Sequence, residues 1–92
     1  MMPFDVVLYS RPGCCLCDRV ADLLQSLNGE FPHHLRTINI DDDPVLRQKW
    51  NCHIPVIFID GSNRVALRIT EERVRRAFSR AAETREASSH TS

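Results

Sequence analysis

Apolar residues change their spacing several times along this 92-residue chain, and each change predicts a secondary-structure element. Residues 5–9 form a short run rich in β-branched side chains that ends in a Ser-Arg-Pro-Gly loop at 10–13, which predicts a buried strand. A helix is predicted next, from apolar residues at i, i+3, i+4 and i+7: Val20, Leu23, Leu24 and Leu27. Asn28 and Gly29 are expected to close that helix with a left-handed residue.

The middle of the chain predicts a second strand and a short helix. In residues 34–40, apolar Ile38 and Ile40 alternate with Thr37 and Asn39, as in a half-buried strand, although Leu35 is out of step with this alternation. Asp43 precedes Pro44, which is the combination of an N-cap and a proline at the first helical position. A short helix is therefore expected to run to about Trp50.

The remaining segments predict a β-hairpin followed by a last helix. Residues 56–59 are continuously apolar, residues 60–63 form a turn, and residues 64–68 alternate again. Thr70 is the expected N-cap of the closing helix. Residues 84–92 have few large apolar groups, so we predict a single domain over residues 1–83 and a flexible C-terminal tail. The order βαβαββα predicts an α/β fold with a mixed sheet covered by helices.

Composition and charge exclude several classes of protein. Apolar residues make up 42% of the chain and charged residues 26%, which excludes disordered and membrane-spanning classes. Acidic and basic residues number 12 each, so no overall field attracts nucleic acid or an anionic membrane. The arginines of the last helix are interpreted as a solvated face. We expect a cytoplasmic monomer without nucleic-acid or membrane partners.

Three of the four cysteines lie in residues 14–17, which read Cys-Cys-Leu-Cys. The Cys14-x-x-Cys17 spacing falls between the first strand and the first helix, where it indicates redox chemistry. At the helix N-terminus, unpaired backbone N–H groups favour a thiolate on Cys14, and Arg11 adds a positive charge nearby. Lowering a cysteine pKa from about 8.5 to about 7 raises the thiolate fraction at pH 7 from about 3% to about half. Cys14 is therefore the predicted nucleophile and Cys17 the predicted resolving thiol.

Two segments resemble glutaredoxins. Residues 9–17, Tyr-Ser-Arg-Pro-Gly-Cys-Cys-Leu-Cys, are similar to the glutaredoxin active-site segment, and more closely to that of short glutaredoxin-like proteins with a Cys-Cys-Leu-Cys motif. Residues 53–56, His-Ile-Pro-Val, resemble the Thr-Val-Pro segment that begins the third strand of that family. The resemblance spans about residues 4–82. It implies the three-layer thioredoxin/glutaredoxin fold with a mixed four-stranded sheet, and thiol–disulfide oxidoreductase activity.

The resemblance also implies a substrate-binding loop and a candidate co-substrate. The bond between Ile54 and Pro55 is expected to be cis, with the backbone of Ile54 pairing with an extended substrate. Arg11 and His53 are further candidate substrate-binding residues. Thr70 lies in the segment with which glutaredoxins bind glutathione, but the glycines common there are replaced by Arg-Ile-Thr-Glu-Glu at 68–72. Glutathione is therefore a candidate co-substrate, and no other cofactor is expected to be required.

Several alternatives remain open at this stage. Cys15 and Cys52 are candidate accessory thiols, although each is also interpretable as an incidental cysteine. The same cysteines could hold a metal or an iron–sulfur cluster, although no closed four-ligand pattern is present and no metal ligand is assigned. A third alternative is a catalytically weak adaptor with this fold. The expected partners of the enzyme are a protein or small-molecule disulfide and a glutathione or thioredoxin-type reductant.

Overall fold

The computed structural model describes residues 3–51, 53–66 and 68–90. The elements follow the predicted order, with one additional 3₁₀ turn (Ile40–Asp42) after the second strand. The strands are β1 (Phe4–Ser10), β2 (His33–Asn39), β3 (Val56–Ile59) and β4 (Asn63–Ala66), and the helices are α1 (Cys15–Ser26), α2 (Pro44–Trp50) and α3 (Glu71–His90). Asp43 caps α2 as predicted, because its Oδ1 accepts the N–H of Val45 at 2.9 Å.

The four strands form one mixed sheet in the order β2-β1-β3-β4. β1 and β2 are parallel, because α1 carries the chain back before β2 begins, whereas β3 pairs antiparallel with both β1 and β4. The turn between β3 and β4 places Asp60 (φ 53°) and Gly61 (φ 80°) in the left-handed region, as a tight hairpin requires. The predicted mixed four-stranded sheet and its closing hairpin are confirmed.

Apolar clusters cover both faces of the sheet. On one face, Leu8 of β1 packs with Leu24 of α1 and Phe78 of α3, and all three are almost completely buried. On the other face, Trp50 of α2 lies against Tyr9, with ring centroids 5.8 Å apart. Because α1 and α3 lie on one side and α2 on the other, the fold has the expected three layers.

The predicted ends of two helices differ from those in the structure. α1 does not end on a left-handed glycine, because Gly29 lacks a positive φ and the chain instead continues through turns in which Phe31 N donates to Leu27 O at 2.7 Å. α3 continues to His90, whereas a flexible tail was expected from residue 84. Adding residues to an existing helix carries no nucleation cost, and residues 83–87 include good helix formers such as Glu83 and Ala87. Composition alone therefore placed the end of the last helix too early.

Candidate active site

The loop before α1 is shaped by Pro12 and Gly13. Cys14 N donates to Arg11 O across this turn at 3.4 Å, and Gly13 has a φ of 80°. A turn with proline second and a left-handed residue third is the type II geometry, which favours glycine at the third position. The turn delivers Cys14 to the N-cap of α1 in an extended conformation.

Cys14 and Cys17 are brought together at the start of α1, where the sequence placed them. They form a disulfide with a Cα–Cα distance of 5.2 Å. The Sγ of Cys14 accepts the backbone N–H of Cys17 at 3.2 Å, so a sulfur fills the role that an oxygen plays in an ordinary N-cap. Cys17 is only 4% exposed, whereas Cys14 is partly exposed. The two cysteine residues therefore differ in their exposure to solvent.

The loop before β3 lies beside this helix start. The Ile54–Pro55 bond is cis, which is the isomer that the resemblance implied. Pro55 is buried, and the partly buried Ile54 packs on the cluster around Trp50. His53 is exposed, and its ring lies edge-on to the ring of Trp50 with centroids 6.3 Å apart. Its imidazole is thus packed over α2 at the entrance to the loop.

A groove of about 260 Å³ joins the proline loop to α1 and to the segment before α3. Its lining is mostly apolar: Leu16, Arg19, Val20, Leu23, Pro55 and Ile69. Leu16 lies between the two site cysteines and is 61% exposed, which is unusual for a large apolar side chain. The next residue after Ile69 is Thr70, whose Oγ1 accepts the N–H of Arg73 at 3.2 Å and caps α3. Thr70 is therefore the N-cap that the sequence predicted, at the edge of the groove.

Sequence reasoning missed the groove residues and the partners of Arg11. Leu16 could have been found as a large apolar residue in the first turn of a helix, where polar residues usually stand. Arg11 donates to Asp41 Oδ1 at 3.0 Å and to Asn51 Oδ1 at 2.7 Å. The positive charge expected from Arg11 is therefore paired with the carboxylate of Asp41. Both partners are distant in the sequence, so no local pattern could have identified them.

The structure describes one of the two candidate accessory thiols. Cys15 is a free, exposed thiol, whereas Cys52 lies outside the described residues. Within residues 3–51, 53–66 and 68–90, no group of three or more His, Cys, Asp or Glu side chains is arranged to hold a metal ion. None of the helices in that part of the chain combines the length and the apolar character needed to cross a membrane.

The mixed sheet, the cysteine pair at the start of α1 and the adjoining cis-proline loop define a thioredoxin-fold protein with a redox-type site. Residues 5–79 match the family described as Glutaredoxin-like domain (DUF836). The chain belongs to this glutaredoxin-like family. An uncharacterized protein of Mycobacterium tuberculosis is 32% identical over 81 residues, which cover 83% of this chain and 84% of that protein.

Solved structures share the fold. A protein of Nitrosomonas europaea, determined by NMR in solution, is 34% identical and has a TM-score of 0.60, over 64% of this chain and 69% of that one. Thioredoxin 1 from Thermosipho africanus is 17% identical and has a TM-score of 0.68, over 89% of this chain and 98% of that one. A structural-genomics target from X. campestris is 24% identical with a TM-score of 0.66, over 76% of this chain and 89% of that one. The last two likenesses concern the fold alone.

Proposed function

We propose that this protein is a thiol–disulfide oxidoreductase in which Cys14 is the nucleophile and Cys17 the resolving thiol. The observation that carries the proposal is the position of the two sulfurs. Cys14 Sγ sits at the N-cap of α1, 3.2 Å from the backbone nitrogen of Cys17, while Cys17 itself is buried. In the reduced protein, the same N–H and the positive end of the helix dipole favour a thiolate on Cys14. The more exposed cysteine residue is thus also the one whose thiolate the helix favours.

The reaction proceeds in two exchanges. The thiolate of Cys14 attacks one sulfur of a substrate disulfide, which forms a mixed disulfide and releases the other sulfur as a thiolate. Cys17 then attacks Cys14 Sγ, loses its proton to the departing thiolate or to water, and releases the second substrate thiol. The substrate gains two electrons and the protein ends as the Cys14–Cys17 disulfide that the structure contains. A dithiol reductant of the thioredoxin type, or two molecules of glutathione, restores the reduced pair in the cytoplasm.

The surroundings of the disulfide favour an extended peptide as substrate. The exposed side chain of Leu16 and the buried ring of Pro55 line one apolar groove, which suits an apolar side chain next to the substrate cysteine. The backbone of Ile54 is proposed to pair with that peptide. At the start of α3, Glu71 and Glu72 are both exposed acids, and they oppose the carboxylate of glutathione. We therefore propose a protein disulfide as the preferred substrate, with glutathione in the role of reductant.

Trapping of the mixed disulfide tests this proposal. Cys17→Ser removes the resolving thiol, so it should accumulate a covalent adduct with a protein disulfide, whereas Cys14→Ser should form none. Cys15→Ser is the matched control, because it removes an exposed thiol one residue away and should leave turnover unchanged. The measurement is mass spectrometry of intact protein after acid quenching. Equal trapping by Cys14→Ser would contradict the assignment, and full biological function of the Cys14→Ser/Cys17→Ser variant would favour the adaptor alternative.

A further inference from the structure

Four arginines line one cleft and indicate a second site. They are distant in the sequence from the cysteine pair. The cleft has a volume of about 150 Å³ and lies between β4 and α3. Its lining consists of Arg64, Val65, Arg73, Arg76, Ala77 and Arg80. The α3 members follow the spacing i, i+3, i+4 and i+7, so they share one helix face. These arginines are exposed, as a solvated face requires, but three of them lie together along one side of α3.

The positive charge of the cleft is poorly compensated. Arg76 has an ion pair with Glu72 at 3.0 Å, while Arg73 donates to the backbone oxygens of Ala66 and Arg68, which carry no net charge. Among the described side chains, no acidic group pairs with Arg64 or Arg80. Four arginines thus line the cleft, and among the described side chains a single carboxylate, that of Glu72, is paired with one of them. Such a cluster is destabilising by itself, because like charges one helical turn apart repel each other.

The contrast with Arg75 shows what a purely structural arginine of this helix does. Arg75 does not line the cleft, and it pairs with Glu71 of its own helix and Glu30 of the turn after α1. Hydrogen bonds from Arg75 to these two carboxylates raise its pKa. Within the described side chains, Arg64 and Arg80 have no such role, so their guanidinium groups keep donors available for an external anion.

The size and chemistry of the cleft select the kind of anion. Ligand pockets for whole small molecules usually exceed about 300 Å³, so a cleft of about half that volume admits one chemical group. The remaining lining residues, Val65 and Ala77, are buried. Guanidinium forks match the geometry of phosphate oxygens better than ammonium groups do. We propose that this cleft binds a phosphoryl group, as free phosphate or as a phosphate monoester. The site is independent of the cysteine chemistry.

Titration of the full-length protein with inorganic phosphate tests the proposal. Amide resonances of residues 64–66 and 73–80 should shift saturably in NMR spectra at constant ionic strength, and chloride should not reproduce the shifts. Arg64→Gln/Arg80→Gln should weaken phosphate binding by at least about tenfold, since charge-assisted hydrogen bonds are lost. This double substitution leaves Arg73 and Arg76 in place and removes like-charge repulsion, so the thermal midpoint of unfolding should not fall. The single variant Arg80→Gln provides a second measure of the loss of phosphate affinity.

Controls separate a specific site from general positive charge. Arg47→Gln/Arg36→Gln also removes two positive charges, but from exposed positions on α2 and β2. This variant should bind phosphate as the unaltered protein does. Cys14→Ser should also bind phosphate normally, so failure of the redox assignment would not affect this result. The proposal is overturned if phosphate shifts no resonances, if the control double variant loses as much affinity, or if a single-stranded oligonucleotide binds while phosphate and glycerol phosphate do not.

Discussion

The side chains of Arg11 and Asn51 join the two loops of the proposed active site, with Arg11 Nη2 2.7 Å from Asn51 Oδ1. Arg11 precedes the cysteine pair, while Asn51 ends α2 and stands four residues before Pro55. The same guanidinium group also holds Asp41 of the 3₁₀ turn. This contact ties the cysteine loop to the end of α2, next to the proline loop, so we expect Arg11 to act as a positioning residue for the proposed exchange reaction.

Asn51→Ala should therefore slow disulfide exchange more than it destabilises the fold. Asn51 is exposed and Arg11 is partly exposed, so we expect a loss of less than about 1 kcal/mol in the free energy of unfolding. Misalignment of the two loops should lower kcat/KM by about threefold to tenfold. Gln48→Ala, on the same helix and also exposed, is the control. Equal rates for both variants would show that the contact has no positioning role.

Gly13→Ala should destabilise the protein, whereas Gly29→Ala should not. Beyond its chain neighbours, neither glycine has a heavy atom within 4 Å of the point where a Cβ would lie, so space is not the difference between them. Gly13 has a φ of 80°, and an L-residue there costs about 1–2 kcal/mol. Gly29 lies outside the left-handed region, so alanine should be neutral or stabilise by up to about 1 kcal/mol. Urea denaturation of the two variants gives the comparison, and equal losses would contradict it.

Leu16→Ser should impair the reduction of protein disulfides while leaving a small symmetric disulfide unaffected. Leu16 is 61% exposed and lines the groove, so its loss should change stability by about 0.5 kcal/mol or less. Removing the apolar contact should raise KM for a protein substrate by about threefold to tenfold. Val45→Ser is a matched control, because Val45 is 70% exposed and also the second residue of its helix. An unchanged KM would exclude the groove from substrate binding.

Phe78→Ala should remove a large share of the stability of the domain. Phe78 belongs to α3, and its ring is fully buried. The ring contacts Phe4, Phe31 and His33 at centroid distances of 5.3, 4.9 and 5.1 Å. Truncation of a buried phenylalanine costs about 3–5 kcal/mol, which is a large share of the roughly 5–15 kcal/mol typical of a domain. Phe78→Leu fills more of the cavity and should cost less than half as much. Thermal or urea denaturation measures the stability of both variants. Similar losses would show that stability does not depend on the side-chain volume at position 78.

The elements of this fold were predictable because their signals are local. The helix cap at Asp43, the apolar spacing of α1 and the continuous apolar run of β3 each depend on residues close in the sequence. The Cys-x-x-Cys at a strand–helix junction has the same character, since a helix start presents its N–H groups whatever surrounds it. The end of α3 was misjudged because propagation of a helix depends on the helix already formed and not on the composition of its last residues.

The sequence by itself determined the βαβαββα order, the cysteine pair and its place at the head of α1. Only the tertiary structure decided which distant residues meet: Arg11 with Asn51, Leu16 with Pro55 and Ile69, and Arg64 with the arginines of α3. The physical reason is that the periodicity of a chain fixes the face on which a side chain lies. The neighbour of that face depends on how strands and helices pack, which is a property of the whole chain.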